Sequence, residues 1–275
     1  MQLFNRVTAL SILLVTMLLV TVGCQSGSKA NKVAIDPGMR EDVLRVMSYN
    51  IHHGVGMDKQ YDLERIAKII NESGADLVAI QEVDKLTDRV QGVNIAADLQ
   101  ELTGMYYTFG KSIDFQNGEY GLMILSKWPL YDVKVLRLPT SEGWEPRIAL
   151  SALVDVKGLG EVRFISTHLQ HQSPEQQYSQ AEMINEVFGN PDVTPCILAG
   201  DFNSGFGSPT FGVLSQAWDV KTQIDMGETY PADKPEIQID HIMTSGDIKL
   251  KSIGVKVLDN AVESDHRPVI VDFQK

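Results

Sequence analysis

The chain has 275 residues, 24 of them Lys or Arg and 36 Asp or Glu, for a net charge of −12 at pH 7; 43% are apolar and 22% charged. That balance excludes a disordered chain, a fibrous repeat and a multi-span membrane protein. It argues against gripping nucleic acid through a broad basic face, but leaves room for a local positive pocket or a bound metal.

The first residues read as a targeting segment. Arg6 precedes an uncharged apolar run from Val7 to Val22, followed by Gly23-Cys24. A charged start, a short apolar core and a small residue before the cleavage point make a secretory signal, and the run is short for a membrane span. The Gly-Cys junction resembles the bacterial lipoprotein signal, which implies removal of residues 1–23 and lipidation of Cys24. Residues 24–41 are rich in Ser, Gly, Lys, Asn and Pro and read as a flexible tether. Residues 42–275 then form one folded domain. The only other cysteine, Cys196, sits in the apolar run Pro195–Ala199 and reads as a buried inert thiol, so no disulfide staples the fold.

Strand-like and helix-like segments alternate along that domain. Short runs rich in Val, Ile, Leu and Phe predict strands at Val43–Asn50, Asp76–Glu82, Leu122–Leu125, Ile148–Val156, Glu161–His168, Pro195–Asp201, Ile237–Met243 and Pro268–Phe273. Between the first two, Asp62 caps a predicted helix with Leu63, Ile66, Ile69 and Ile70 on one face and Glu64 and Lys68 paired on the other. Helical patterns recur over Val93–Leu102 and Pro174–Phe188. No strong internal repeat and no interior linker interrupts the pattern, and one α/β domain follows.

The chemistry lies at the strand ends. Successive runs end in Asn50, Glu82, His168 and Asp201, with Asn203 just beyond; another runs into Asp240-His241, and Asp265-His266 precedes the last. An acid at the edge of a packed strand is desolvated unless it is paired or metal-bound. Several such groups from separate segments, all carboxylate, carboxamide or imidazole, point to one convergent cleft suited to a hard divalent cation and a positioned water. All six histidines, at 52, 53, 168, 171, 241 and 266, lie within three residues of these ends. No Cys-x-x-Cys and no His-Glu-x-x-His is present, so Mg²⁺ or Mn²⁺ is favoured over Zn²⁺.

The ordered segments Ser48-Tyr49-Asn50-Ile51, Ile80-Gln81-Glu82-Val83, Glu119 to Lys127, Ser166-Thr167-His168-Leu169, Gly200-Asp201-Phe202-Asn203, Ile239-Asp240-His241-Ile242 and Ser264 to Val269 carry a family resemblance. The chain resembles the endonuclease/exonuclease/phosphatase superfamily of metal-dependent phosphohydrolases, and the resemblance runs through nearly the whole domain. It implies a two-sheet α/β sandwich with helices on the outer faces and the site at one end of the sheets. It also implies roles. Glu82 would bind the main metal with Asn50 and Asp265. Asp201 would orient or deprotonate the attacking water, and Asn203 would hold that water and the phosphate. His266 would donate to a phosphoryl oxygen with its tautomer fixed by Asp240, and His168 would stabilise the growing charge. Glu119 occupies the place of a carboxylate that pairs with this histidine in some members. His52 stands where some members carry an acid, and is expected to contact substrate instead. Arg147, ahead of a strand, can pair with a phosphate oxygen bidentately. His53, His171 and His241 are left open between rim contacts and plain surface.

The expected function is an exported, lipid-anchored phosphoesterase of the bacterial cell envelope that hydrolyses a phosphodiester or phosphomonoester. It would use Mg²⁺ or Mn²⁺ and work as a monomer. A small molecule or a lipid headgroup is favoured over nucleic acid as substrate, since no Lys/Arg-rich run is present. Two other readings of the same fold stand beside it: an inactive surface binding protein, and a nuclease acting on extracellular DNA or RNA. A serine hydrolase is disfavoured because no Gly-x-Ser-x-Gly elbow is present.

Overall fold

The interior strands form where the sequence is continuously apolar, because each is buried on both faces. The computed structural model describes residues 41–189, 194–222, 226–245 and 250–275. The expected signal at 1–23, Cys24 and the tether up to residue 40 lie outside the described residues.

One six-stranded sheet contains β1 (Val43–Asn50), β2 (Leu77–Lys85), β3 (Tyr106–Phe115), β4 (Gly118–Ser126), β11 (Lys251–Val257) and β12 (Val269–Gln274), in the order β11-β12-β1-β2-β4-β3. The other contains β5 (Leu130–Arg137), β6 (Ile148–Val156), β7 (Gly160–His168), β8 (Cys196–Asp201), β9 (Trp218–Val220) and β10 (Asp240–Ser245), in the order β5-β6-β7-β8-β10-β9. Their inner faces share a core that includes Val46, Leu77 and Ile124 from the first sheet and Leu150, Phe164 and Ile197 from the second. The helices α1 (Leu63–Ser73) and α2 (Ile95–Thr103) cover the outer face of the first sheet. On the second, α3 (Pro174–Phe188) and α4 (Pro209–Leu214) do the same. The architecture is the two-sheet sandwich expected from the sequence.

Local chemistry sets the helix limits. Asp62 accepts from the Arg65 amide at 3.1 Å, and Gly74 ends α1 in the left-handed conformation. On the solvent face Lys68 reaches Glu72, at 3.9 Å, rather than Glu64 as expected. Ser173 caps α3, with Pro174 in its first turn. The strand expected at Ile237–Met243 begins only at Asp240, because Ile237 pairs with Tyr230 in an isolated bridge.

Two parallel pairs fix where the site lies. β1 and β2 run parallel, connected through α1, and so do β7 and β8, connected through α3. A parallel crossover brings both carboxyl ends to one edge of a sheet, the usual place for a ligand. Here those ends bring together Asn50, His168 and Asp201, with Glu82 at the bulge in β2 just past its last pair with β1, Asn50–Gln81. The neighbouring antiparallel strands complete the set: Asp240 opens β10 directly opposite Asp201, and His266 lies just ahead of β12, which pairs with β1.

Candidate active site

Asp201 is the hub of the arrangement. It is almost fully buried at the end of β8. Its Oδ2 accepts from Asn50 Nδ2 at 3.1 Å and lies 3.4 Å from His168 Nε2 and 3.6 Å from His266 Nε2. Its Oδ1 accepts from the Asn203 amide at 2.8 Å. Burial pushes the Asp201 carboxyl up to about 7, and Asp240 adds to that while His266 opposes it. A carboxyl so placed is suited to take a proton from water near neutral pH.

Strand β8 approaches β7 too closely for any side chain at Gly200, where a Cβ would stand 2.2 Å from the Thr167 carbonyl oxygen. Just beyond, Asn203 adopts a positive φ of 48° and its side-chain Nδ2 donates to the Leu169 carbonyl at 3.0 Å. The glycine and the turn together aim the Gly-Asp-Phe-Asn segment into the cleft.

His266 and Asp240 form the pair expected. Nδ1 of His266 lies 2.9 Å from Asp240 Oδ2, and both residues are buried. Burial alone would lower the imidazole; Asp240 and Asp201 reverse this and raise it to about 10. The ring therefore presents a protonated Nε2 to the cleft. Tyr230 packs against it with ring centroids 4.8 Å apart and the planes tilted by 46°. The strands' flanking loops hold this corner: Ser264 Oγ donates to the Asn50 carbonyl at 2.7 Å, and the Arg267 amide to the Thr229 carbonyl at 2.8 Å. His168 is pushed the other way. Burial first, then the nearby Arg147, hold it well below the ordinary histidine range, and its Nδ1 is buried without a partner.

Glu82 reaches the site through a defect in β2. The ladder with β4 slips between Ile80 and Val83, and Glu82 takes a φ of 60°. The extra residue of this bulge re-aims a side chain that regular pleating would place elsewhere. Glu82 Oε1 accepts from Asn50 Nδ2 at 3.2 Å, and Oε2 lies 3.9 Å from His53 Nδ1. Burial would raise this carboxyl, but the adjacent His53 ring, the nearby His168 and the Asn50 hydrogen bond bring it below the usual range.

The donor set fits a hard divalent cation. Glu82 and Asp265 line the same cavity, and His53 Nδ1 beside Glu82 is buried without a partner. Ring nitrogens of His52 and His53 and a Glu82 oxygen lie within 4.8 Å of one another. Asn50 Oδ1 accepts from the His52 amide at 3.1 Å, so the carboxamide turns its N–H to Glu82 and Asp201 and holds these carboxylates.

Other expected residues divide. Arg147 lines the cavity beside His168 but is buried, with Nη1 3.3 Å from Glu145, Nη2 3.3 Å from His171 and Nε unpartnered. His52 is not among the cavity-lining residues; its Nδ1 lies 2.9 Å from the Val55 carbonyl and 4.0 Å from Asp265. Glu119 does not pair with His168: it binds Lys85 at 2.8 Å and Lys111 at 3.6 Å, because it stands directly across the ladder from Lys85. His241 is neither rim nor surface. It is buried against Phe202, Phe206 and Phe211. Cys196 is buried as expected, its thiol pushed up to about 11 by burial.

The cavity holds about 530 Å³. Several of its walls were not anticipated: Arg89, Ile113, Phe115 and Tyr120 on one side, Tyr230, Ile237 and Ile239 on another. None of these ends an apolar run in a polar group, the signal that found the rest.

Comparison with known proteins agrees with this fold. Residues 47–266 match the Endonuclease/Exonuclease/phosphatase family. Many solved structures share the fold, among them the following three. An endonuclease/exonuclease/phosphatase from Beutenbergia cavernae DSM 12333 is 23% identical with a TM-score of 0.68, over 85% of this chain and 72% of that one. A family protein from Bacteroides thetaiotaomicron is 22% identical with a TM-score of 0.69, over 84% and 97%. A mannosyl-6-phosphatase from Bacteroides thetaiotaomicron VPI-5482 is 22% identical with a TM-score of 0.68, over 84% and 99%.

Proposed function

The chain belongs to the endonuclease/exonuclease/phosphatase family, whose members are hydrolases acting on phosphoesters, and we propose that it is a divalent-metal-dependent phosphoesterase working by in-line attack of water. The observation that carries this reading is the convergence on Asp201 of Asn50, His168 and His266 at 3.1 to 3.6 Å, beside the open carboxylates of Glu82 and Asp265. Glu82 and Asp265 would hold Mg²⁺ or Mn²⁺, with His53 alongside. When bound, the cation polarises a phosphoryl oxygen and offsets charge that builds in the transition state.

The chain's own groups supply the remainder. Asp201 takes the proton of the attacking water, and Asn203 orients that water. Protonated Nε2 of His266 donates to a phosphoryl oxygen, held in place by Asp240 at Nδ1. His168 and Arg147 add donors on the same side, where negative charge accumulates. The carboxylates face the cation and the water, because a bare carboxylate against the phosphate would repel it.

We further propose export and anchoring in the bacterial cell envelope through lipid on Cys24, and a monomer with a small phosphoester or lipid headgroup as substrate. The support is the residue pattern at the amino terminus and the absence of a Lys/Arg-rich run. The deciding assay incubates purified protein with chromogenic phosphodiester and phosphomonoester substrates and either Mg²⁺ or Mn²⁺. Hydrolysis is expected with metal and none in excess chelator; undiminished activity in chelator removes the metal mechanism.

A further inference from the structure

The cation site carries more than carboxylates. After Asn50 the chain makes a left-handed turn through His52, His53 and Gly54, with φ of 44°, 45° and 80°. Such values are ordinary for glycine and uncommon for any residue with a side chain. The turn is held from both sides. Asn50 Oδ1 accepts the His52 amide at 3.1 Å, and the Val55 amide donates to the His52 carbonyl at 2.9 Å. Gly54 is seated against the start of α1: its carbonyl accepts the Asp62 amide at 3.0 Å, and a Cβ there would stand 2.9 Å from the Leu63 and Tyr61 side chains. The Met57 amide donates to the Val262 carbonyl at 2.8 Å, which ties this loop to the one that carries Asp265.

The result is a chain of four donors. Glu82 Oε2 lies 3.9 Å from His53 Nδ1, the rings of His53 and His52 meet edge to face with centroids 4.4 Å apart, and His52 Nδ1 lies 4.0 Å from Asp265 Oδ1. All four side chains are partly open, at 13% to 28% exposed, so an ion can enter and keep some of its water. The imidazoles are free to bind one. His53 Nδ1 is buried without a hydrogen-bond partner. His52 Nδ1 lies 2.9 Å from the Val55 carbonyl, which only accepts, so Nδ1 carries the proton and the lone pair is on Nε2. A backbone carbonyl that fixes the tautomer in this way is the usual companion of a metal-bound histidine.

Donor chemistry then chooses the ion. Glu82 and Asp265 alone would serve Mg²⁺, which takes carboxylate and water oxygens. Imidazole nitrogen suits the later first-row ions, whose affinity rises from Mn²⁺ through Co²⁺. The sequence points away from Zn²⁺ because it has no His-Glu-x-x-His helix; here a turn, not a helix, brings two histidines to one place.

We propose that His52, His53, Glu82 and Asp265 form one cation site of two nitrogen and two carboxylate donors, selective for a divalent transition ion over Mg²⁺, with Zn²⁺ and Co²⁺ held more tightly than Mn²⁺. The proposal deepens the cation assignment in the phosphoesterase reading above, and rests on that reading for the ion's role in hydrolysis.

The test reads the bound ion itself. Pulsed electron paramagnetic resonance of the purified protein loaded with Mn²⁺ should show coupling to imidazole nitrogen. The double variant His52→Asn, His53→Asn should lose it. Asparagine accepts the left-handed backbone and offers oxygen in place of nitrogen, so the turn is kept while the donor changes. Each single variant should weaken the coupling, which decides the matter if the double variant does not fold. In titration calorimetry the double variant should bind Co²⁺ and Zn²⁺ about 10- to 100-fold more weakly with Mg²⁺ affinity nearly unchanged. Bound Mn²⁺ without nitrogen coupling overturns the proposal, and so does a ratio of Co²⁺ to Mg²⁺ affinity that the variants leave as it was. Hydrolysis of the chromogenic esters is followed separately. Turnover by a protein whose Mn²⁺ sees only oxygen overturns this site and keeps the phosphoesterase reading. A nitrogen-bound ion with no turnover of any ester keeps the site and overturns that reading.

Discussion

His241 lies directly behind the catalytic edge, and acid should turn it against the fold. It faces away from Asp240 and Asp201, pressed edge-on against Phe211 at 4.5 Å, Phe206 at 5.2 Å and Phe202 at 5.9 Å. Nδ1 lies 2.8 Å from the Thr222 hydroxyl and Nε2 3.3 Å from the Gln238 carbonyl. A carbonyl only accepts, so Nε2 carries the proton and Nδ1 takes the Thr222 hydrogen. Burial lowers this imidazole to about 4 from its ordinary 6.5, against smaller opposing effects of Asp240 and the nearby backbone. Above pH 6.5 the ring is neutral whether folded or unfolded, and this stability is fully present. As pH falls below 6.5 the unfolded chain takes up a proton that the folded one refuses, and stability is lost down to about pH 4. At 1.36 kcal/mol per unit, the loss is about 2 kcal/mol at pH 5 and about 3 kcal/mol at pH 4. The comparison is with His241→Gln, whose amide serves both hydrogen bonds without titrating. Urea unfolding, followed by tryptophan fluorescence, gives both stabilities at pH 7, 6 and 5. Whatever fixed cost the substitution carries at pH 7, wild type should lose about 2 kcal/mol more than the variant by pH 5. A gap between the two that stays constant from pH 7 to pH 5 refutes the neutral buried imidazole.

Four further outcomes are expected. Asp240→Asn removes the charge that fixes the His266 tautomer, and steady-state kinetics should show kcat lower by about 10²- to 10⁴-fold with the fold retained; near-native kcat would remove Asp240 from the mechanism. Gly200→Ala forces a methyl against the Thr167 carbonyl oxygen and should cost about 3 kcal/mol, which calorimetry would read as a melting point about 6 to 12 °C lower. Asn50→Asp sets a third carboxylate beside Glu82 and Asp201, so Tm should fall in chelator and then rise with added Mn²⁺ by more than in wild type; an unchanged metal response counts against the assigned cation site. Glu82→Asn suits the left-handed backbone at that position better than glutamate, and should leave the metal-free protein at least as stable while abolishing its Tm rise with Mn²⁺.

The parts legible from sequence were those buried on both sides. Strands β1, β6, β7 and β8 appeared with ends within a residue of those observed, because the two faces of a central strand give one unbroken apolar run. Edge strands carry no such run. Tyr106 and Tyr107 on β3 and Tyr131, Val133 and Val135 on β5 face solvent, and Gly254 interrupts β11. These three are absent from the sequence reading for that reason, and so is the fourth edge strand, β9, which has only three residues. The site followed the same logic. Asn50, Glu82, His168 and Asp201 stand out as polar groups closing apolar runs. Arg89, Tyr120 and Tyr230 do not, since the hairpin and loops that bring them to the cavity are set by pairing between distant segments. Glu119 misled because motif order carries no register: only the ladder shows that it faces Lys85.

The net charge of −12 bears on this function less than it first seems to. Asp201, Asp240, Glu82 and Asp265 count as four negative charges, yet each faces an imidazole, the Asn50 amide or the proposed cation rather than solvent. Arg89 and Arg147 count as positive, yet each is neutralised by its own acid. The cavity is therefore locally structured in a way that whole-chain charge does not report. A short anionic substrate need only satisfy the donors at Asp201's edge, where His168 and His266 lie within 3.6 Å. A long polyanion must also meet the net negative charge of the chain as a whole. The same numbers that argue against a duplex thus allow the small phosphate ester proposed above.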